Sequence, residues 1–357
     1  MRSETSDSHA YATACPTVAQ SQVGEGAKSH LRPGKPDNSQ VPATSGKKNY
    51  QSIIKEIELL NDETLRNVKW KAEEIQDGAR HRRNETFDAY NEYWGNIWSF
   101  SKELVGERNE DELSRVWAML NHFEFFSDKT LGQAFKSADQ SMVITGHQLP
   151  SSLPMATFMG TLRYTVVYKL LQHVLPTSDA LVELGSGWGR NVFSLQLYGM
   201  QRGIPIYAGE FTRSGRRVTR LLNQLRGTTS RVTSFEFDYY NLDVSLVKKA
   251  GHKHVTIMTL WSIEQVRTLP ADFVDTLLTM GKSVNGIHME PIDWQENPDS
   301  PLGKISKERG LHSGYNENLV ALLKEAQEQK KIVIDEITPE FAWGSRAGGM
   351  LVTWHSV

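Results

Sequence analysis

One cysteine in 357 residues, Cys15, excludes an intramolecular disulfide and supplies no thiolate set for a metal site. It fits a reducing compartment. A strong excess of either charge is also missing: 40 basic against 42 acidic residues give a formal net charge of -2. Chains that bind a polyanion usually carry a strongly basic domain, so nucleic acid is not expected as a partner. Residues Met1–His9 lack the apolar core of a secretory signal. The most apolar long window, Pro154–Leu175, contains Arg163, Lys169 and His173, which a membrane span tolerates poorly. A soluble, cytoplasmic protein with no membrane partner is expected. Large apolar side chains are nearly absent from residues 1–48, which are rich in Ser, Thr, Gly, Pro and Gln. Such a segment cannot bury enough surface to offset its ordering entropy and reads as a disordered tail.

The rest is ordinary globular material. Overall, 39% of residues are hydrophobic and 23% charged, and the length accommodates two modest domains. Residues 49–138 show helical periodicity. Phe87, Tyr90, Trp94, Ile97, Trp98, Ser101, Leu104 and Val105 fall on one helix face. Leu113, Val116, Trp117, Leu120 and Phe123 mark a second helix, and Ile53, Ile54, Ile57 and Leu60 a third. This is read as an all-helical cap or lid, its aromatic stripe serving as core rather than substrate cage. From residue 139 to 357, short β-branched or aromatic runs alternate with helical stretches. Seven strands are predicted: Ala180–Leu184, Ile206–Glu210, Arg231–Asp238, Val255–Trp261, Val284–Glu290, Lys331–Ile337 and Met350–His355. The fold class is therefore α/β, a mainly parallel sheet with helices on both faces, closed by an antiparallel hairpin at its edge. Arg213, Arg216, Arg217 and Arg220, at helical spacing, read as a solvated face.

The most informative stretch runs from Leu181 to Asn191. A buried strand ends in Glu183 and Leu184, then Gly185, Ser186, Gly187, Trp188, Gly189 and Arg190 lead into a helix. Glycines at alternate positions allow a sharp turn and close approach of a ligand to the backbone. The dinucleotide fingerprint spaces its glycines differently and seats a pyrophosphate. Here Glu183 would repel a pyrophosphate and attract an ammonium group.

On these residues the sequence resembles the class I S-adenosylmethionine-dependent methyltransferases, from about Gly146 to Val357. The resemblance implies a seven-stranded Rossmann-like sheet of order 3-2-1-4-5-7-6, and S-adenosyl-L-methionine as cofactor. It implies that Glu183, Gly185, Ser186, Gly187, Gly189 and Asn191 form the first cofactor motif. Glu210, closing the second strand, matches the residue that holds the ribose hydroxyls, and Phe211 follows it. Asp238, after the third strand, matches the residue that accepts the adenine amino group, with Phe237 or Tyr239 against the ring. Trp261, after the fourth strand, and His147, before the first, complete the expected cofactor contacts.

Ligands of open α/β sheets bind outside the carboxyl ends of the strands, so the ends of the fourth and fifth strands should face the methyl group. Glu264 follows the fourth strand. His288 and Glu290 end the fifth and share a face by the strand period of two. His288 is the expected base, with Glu290 or Glu264 orienting it or binding a substrate amine. A metal site from His288, Glu290, Asp293 and His312 matches no standard spacing, so no metal is expected. The expected activity is methyl transfer from S-adenosylmethionine to an O or N atom of a small-molecule acceptor, leaving S-adenosylhomocysteine. The alternatives are a catalytically silent cofactor-binding or scaffold protein and an aminopropyl transferase.

Overall fold

The computed structural model describes residues 54–55, 57–58, 77–108, 113, 116–120, 142–144, 147–149, 171, 174–197, 203–226, 232–344 and 347–357. The expected tail (1–48), the boundary at 138/139 and most of the second and third cap helices lie outside the described residues. Residues Asn49–Val357 form one compact unit.

Among the described residues, nine strands make a single mixed sheet: β1 (Met142–Ile144), β2 (His147–Leu149), β3 (Ala180–Leu184), β4 (Ile206–Glu210), β5 (Val232–Glu236), β6 (His254–Leu260), β7 (Ser283–Glu290), β8 (Ile332–Gly344) and β9 (Ala347–Ser356). Their order across the sheet is β2-β1-β8-β9-β7-β6-β3-β4-β5. Strands β3 to β7 pair in parallel. β9 lies antiparallel between β7 and β8, and the β1–β2 hairpin extends the sheet beyond β8. The seven strands from β3 onward keep the order 3-2-1-4-5-7-6. Two expectations are corrected. The sheet is mixed rather than mainly parallel, since four of its eight pairings are antiparallel. The β8–β9 hairpin is also not its edge. The free side of the long β8 would leave a row of unpaired backbone groups, and β1 covers part of it; the three-residue β2 is the edge.

The helices that bear on the site and its core include α1 (Asp77–Arg108), α2 (Arg190–Leu197), α3 (Arg213–Arg226), α4 (Ser245–Ala250), α5 (Phe273–Leu278), α6 (Pro301–Ser313) and α7 (Leu319–Glu328). Alternate strand residues point to opposite faces, so each face has its own core. Leu181, Met258, Ile287 and Met289 join Ile97 and Trp98 of α1, Phe193 of α2 and Leu221 of α3. Val182, Ile257 and Val284 join Val247, Phe273, Leu323 and Trp354 on the other side. With both faces covered, β3 and β4 are buried at every position, and their residues other than Glu183 and Glu210 are apolar or small.

Helix α1 packs along α3, with the Ser214 amide donating to Asn91 Oδ1 at 3.0 Å. This corrects the reading of the arginine run as a solvated face. Arg216 is fully buried, and Arg213, Arg217 and Arg220 are only partly exposed. Arg216 Nη1 donates to the carbonyls of Glu210 and Phe211, both at 2.8 Å, and its Nη2 lies 3.6 Å from Glu236. A cationic side chain thus pins the end of β4, where the chain turns toward the cavities described next.

Candidate functional site

The turn after β3 has left-handed backbone at Gly185, Gly187 and Gly189, with φ of 73°, 55° and 81°. A Cβ on Gly185 would lie 2.3 Å from Cβ of Ser262, and one on Gly187 would lie 3.1 Å from the Trp94 ring. Glycine is needed at both for the backbone conformation and for the close approach of these two side chains. Gly189 meets Phe193 and Thr219 and lines neither cavity, so its lack of a side chain serves helix packing. Amides of Gly185 and Ser186 donate to the Gly209 carbonyl at 2.8 and 2.9 Å, tying the turn to β4.

Two cavities adjoin at this turn. The first, about 110 Å³, is lined by Gly185, Gly187, Glu210, Phe211, Asp238 and Tyr239, with Tyr90 and Trp94 of α1 across from them. The second, about 520 Å³, is lined by Ser186, Trp188, Arg190, Asn191 and Leu260, and by Tyr93 of α1. Its size falls within the ~300–1,000 Å³ typical of small-molecule sites. Tyr90, Trp94, Gly185, Gly187 and Trp261 line both and form the waist between them.

Among the expected cofactor residues, Glu210, Phe211, Asp238, Tyr239 and Trp261 are on the wall of the first cavity. Buried Glu210 accepts from the Gly187 amide at Oε2 (2.9 Å), and from the Thr212 amide and hydroxyl at Oε1 (2.8 and 2.6 Å). Burial raises its pKa, and these hydrogen bonds with Thr212 and Gly187 oppose the rise. Asp238 Oδ1 accepts from the Tyr240 amide at 3.0 Å. The hydroxyls of Tyr239 and Ser262 lie 2.8 Å apart, each 3.0 Å from the Leu184 carbonyl, so the ends of β3, β5 and β6 are joined beneath the cavity.

Two other residues expected at the cofactor lie off both cavity walls. Glu183 shares the strand face of Leu181 and is fully buried beneath α2, where it accepts from Asn191 Nδ2 at 2.5 Å. It lines neither cavity, so the polar groups that the turn presents are those of Ser186 and Asn191, on the second cavity. His147 opens β2 at the far edge of the sheet, with five strands between it and β3. At ~4.8 Å per strand that is roughly 25–30 Å from the glycine turn.

The ends of β6 and β7 hold the residues expected to do chemistry. Trp261 has φ 54°, an outlier for a bulky residue. The turn that carries it is held by Glu290, whose Oε2 accepts the amides of Ser262 (3.0 Å) and Glu264 (3.3 Å). Burial, and the nearby Glu264 carboxylate, push the Glu290 pKa up to about 8. His288 is fully buried on the same face. Its Nε2 accepts from Trp354 Nε1 at 2.9 Å, and an indole nitrogen only donates. Nδ1 therefore carries the proton and donates to Thr259 Oγ1 at 2.9 Å. Burial depresses the His288 pKa to about 3. The residue expected as the base is thus a neutral histidine with both nitrogens engaged inside the core. Gly286 makes this possible, because a Cβ there would lie 2.1 Å from the Trp354 indole. None of His288, Glu290 and Glu264 lines either cavity; Glu264 accepts from the side-chain amide of Gln265 at 2.8 Å.

The roof is what the sequence reading did not find. The stripe on α1 divides: Ile97, Trp98, Ser101 and Val105 are buried in the core, whereas Thr86, Tyr90, Tyr93 and Trp94 face the cavities. Burial, and then Glu264, raise the Tyr90 hydroxyl well above the usual phenol range. The available signal was the tyrosines: Tyr90 and Tyr93 are on the half that lines the cavities, and the core half from Ile97 to Val105 has none.

No family model matches the chain, and no curated protein matches it. Solved structures that it is similar to include geranyl diphosphate C-methyltransferase from Streptomyces coelicolor A3(2), in complex with S-adenosyl-L-homocysteine, at 14% identity. That alignment covers 54% of this chain and 79% of that one, with a TM-score of 0.39. Magnesium protoporphyrin IX methyltransferase from Synechocystis PCC 6803, also with S-adenosylhomocysteine bound, aligns at 9% identity over 67% of this chain and 99% of that one, TM-score 0.39. A SAM-dependent methyltransferase from Aquifex aeolicus aligns at 13% over 50% and 82%, TM-score 0.34.

Proposed function

We propose that the chain binds S-adenosylmethionine and transfers its methyl group to an oxygen or nitrogen atom of a small molecule. The observation that carries the reading is the convergence of the Gly185–Gly187 turn, Glu210 and Asp238 on one cavity, from the ends of three adjacent strands. A purine nucleoside with no phosphate suits this wall. Phe211, Phe237, Tyr239 and Tyr240 offer ring faces, Asp238 and Glu210 offer acceptors for an amino group and a hydroxyl, and a pyrophosphate would meet two carboxylates. When bound, the cofactor supplies a methyl carbon on a positively charged sulfur; the acceptor lone pair takes that carbon as the S–C electron pair returns to sulfur. The chain's part is alignment and exclusion of water. Tyr90 and Trp94 cover the junction of the two cavities, and Trp261 holds its floor.

One observation favours a second reading, a cofactor-binding protein without transferase activity: His288, Glu290 and Glu264 are all off the cavity walls. Methyl transfer needs a base only when the nucleophile is protonated, so the primary reading survives it. Titration calorimetry and thermal melting test the cofactor. S-adenosylhomocysteine should bind and raise the melting temperature by mass action, and NAD should do neither. Binding of NAD without S-adenosylhomocysteine overturns the reading. A screen with methyl-labelled cofactor that labels no small molecule would favour the silent binder.

A further inference from the structure

Trp261 is, among the described residues, the one aromatic side chain on left-handed backbone. A bulky residue is strained there, and such strain persists only where the surroundings over-determine it. Glycine would take the same conformation without strain, but it would strip the aromatic floor that both cavities share. The bonds that hold the turn come from β7. The Trp261 amide donates to the Met289 carbonyl at 3.0 Å. The amides of Ser262 and Glu264, which follow it, both donate to Glu290 Oε2. On its other side, Ser262 packs into the space that Gly185 leaves open. Glu290 itself is 1% exposed, and Thr259, the acceptor for His288, lies against its carboxyl. A carboxyl removed from water is costly unless hydrogen bonds use it. Backbone strain and a buried acid are thus two costs met at one turn, and what the turn presents to the cavities is an indole.

We infer that Glu290 is a positioning residue: by receiving the two amides after Trp261 it sets that indole at the junction of the cavities. The inference rests on the cofactor reading above for the ligand that the indole serves. Glu290 lies off both cavity walls and acts through the turn alone. His288 is one step further back, behind Thr259. The two residues on one face of β7 therefore differ in role, and neither has to take a proton from an acceptor.

Fluorine NMR on the full chain labelled with 5-fluorotryptophan reads the indole directly. Of the nine tryptophans, Trp261 gives the resonance that disappears in Trp261→Phe. Glu290→Met keeps the side-chain volume and removes the acceptor, so that resonance should shift while the others hold. Glu290→Gln should return it, because a primary amide also presents a carbonyl oxygen to the two backbone amides. By titration calorimetry, S-adenosylhomocysteine affinity should fall about three- to tenfold in Glu290→Met, the scale of one aromatic contact, and recover in Glu290→Gln. If Glu290→Met fails to fold, adding Trp261→Gly should restore folding, since glycine needs no support at that φ. A double variant that also fails makes Glu290 a core residue only and overturns the proposal. An unmoved Trp261 resonance in Glu290→Met overturns it too, and leaves the cofactor reading standing if S-adenosylhomocysteine binds. If the unaltered chain does not bind S-adenosylhomocysteine, the cofactor reading falls, and the resonance still decides whether Glu290 holds Trp261.

Discussion

Glu210 accepts three hydrogen bonds from its own chain, which leaves one of its four lone-pair sites, on Oε2, for a ligand hydroxyl. It also holds the Gly187 amide, so it shapes the turn as well as facing the cavity. Glu210→Ala should weaken S-adenosylhomocysteine binding at least about tenfold, since a hydrogen bond to a charged group is worth ~1.5–3 kcal/mol. Calorimetry showing unchanged affinity would remove Glu210 from the cofactor site. His288 lies at the other extreme, away from any cavity. His288→Asn disturbs the acceptor for the buried Trp354 N–H, and an unsatisfied buried donor costs about 1–3 kcal/mol. Denaturant unfolding should register that loss, with turnover per folded molecule changed only a few fold. A hundredfold fall in turnover at unaltered stability would restore His288 as a base. Its place on the Glu290 face was legible from the strand period of two. That this face looks into the α5 and α7 layer was not, because periodicity says which residues share a side and not what covers it.

At the scale of elements, α1 decides what the site can admit. One helix contributes core residues at its C-terminal half and cavity roof at its middle, and the change comes between Trp94 and Ile97. Tyr93 is half-buried on the roof of the second cavity. Tyr93→Ala should therefore weaken whatever fills that cavity by about an order of magnitude, the scale of a single aromatic contact. Steady-state kinetics and calorimetry on the same variant separate the ligands: a loss in acceptor KM alone places the acceptor there, and a loss in S-adenosylhomocysteine affinity places the cofactor there. Unchanged values in both would show that Tyr93 contacts neither. The arginine run on α3 was misread for the same physical reason as the roof: at helical spacing a face looks solvated until another helix lies on it. Here α1 does so, and Arg216 turns inward to the β4 carbonyls.

For the whole molecule, two buried groups set opposite pH limits. Glu290 has a folded-state pKa of about 8 against an ordinary 4.5, so its contribution to stability is fully present below pH 4.5 and is lost as pH rises to about 8. Glu210, raised by burial, adds to the same limb. His288 has a folded-state pKa of about 3 against 6.5, so its contribution is present above pH 6.5 and is lost as pH falls to about 3. The slopes oppose between 4.5 and 6.5, and stability should be greatest in that window. Thermal melting across pH should show the fall from 6.5 to 8 reduced in Glu290→Gln, and the fall below 4.5 reduced in His288→Asn. A profile unaltered in both variants would show that neither group is buried as described. Deletion of residues 1–48 should leave melting and cofactor binding unchanged, because that composition supplies almost no apolar surface to dock.

The amino-acid sequence by itself determined the alternation of strands and helices from Ala180 onward, the glycine turn, and the acidic residues that close β4 and follow β5. These are local facts, written in strand period, turn chemistry and spacing. Only the tertiary structure decided that Glu183 and His288 are enclosed while Tyr90, Tyr93 and Trp94 are on the cavity wall, that Arg216 is buried, and that β1 and β2 lie beyond β8. Each of those depends on which face a distant segment covers, and a covering helix or strand is set by packing between residues far apart along the chain, which no local pattern records.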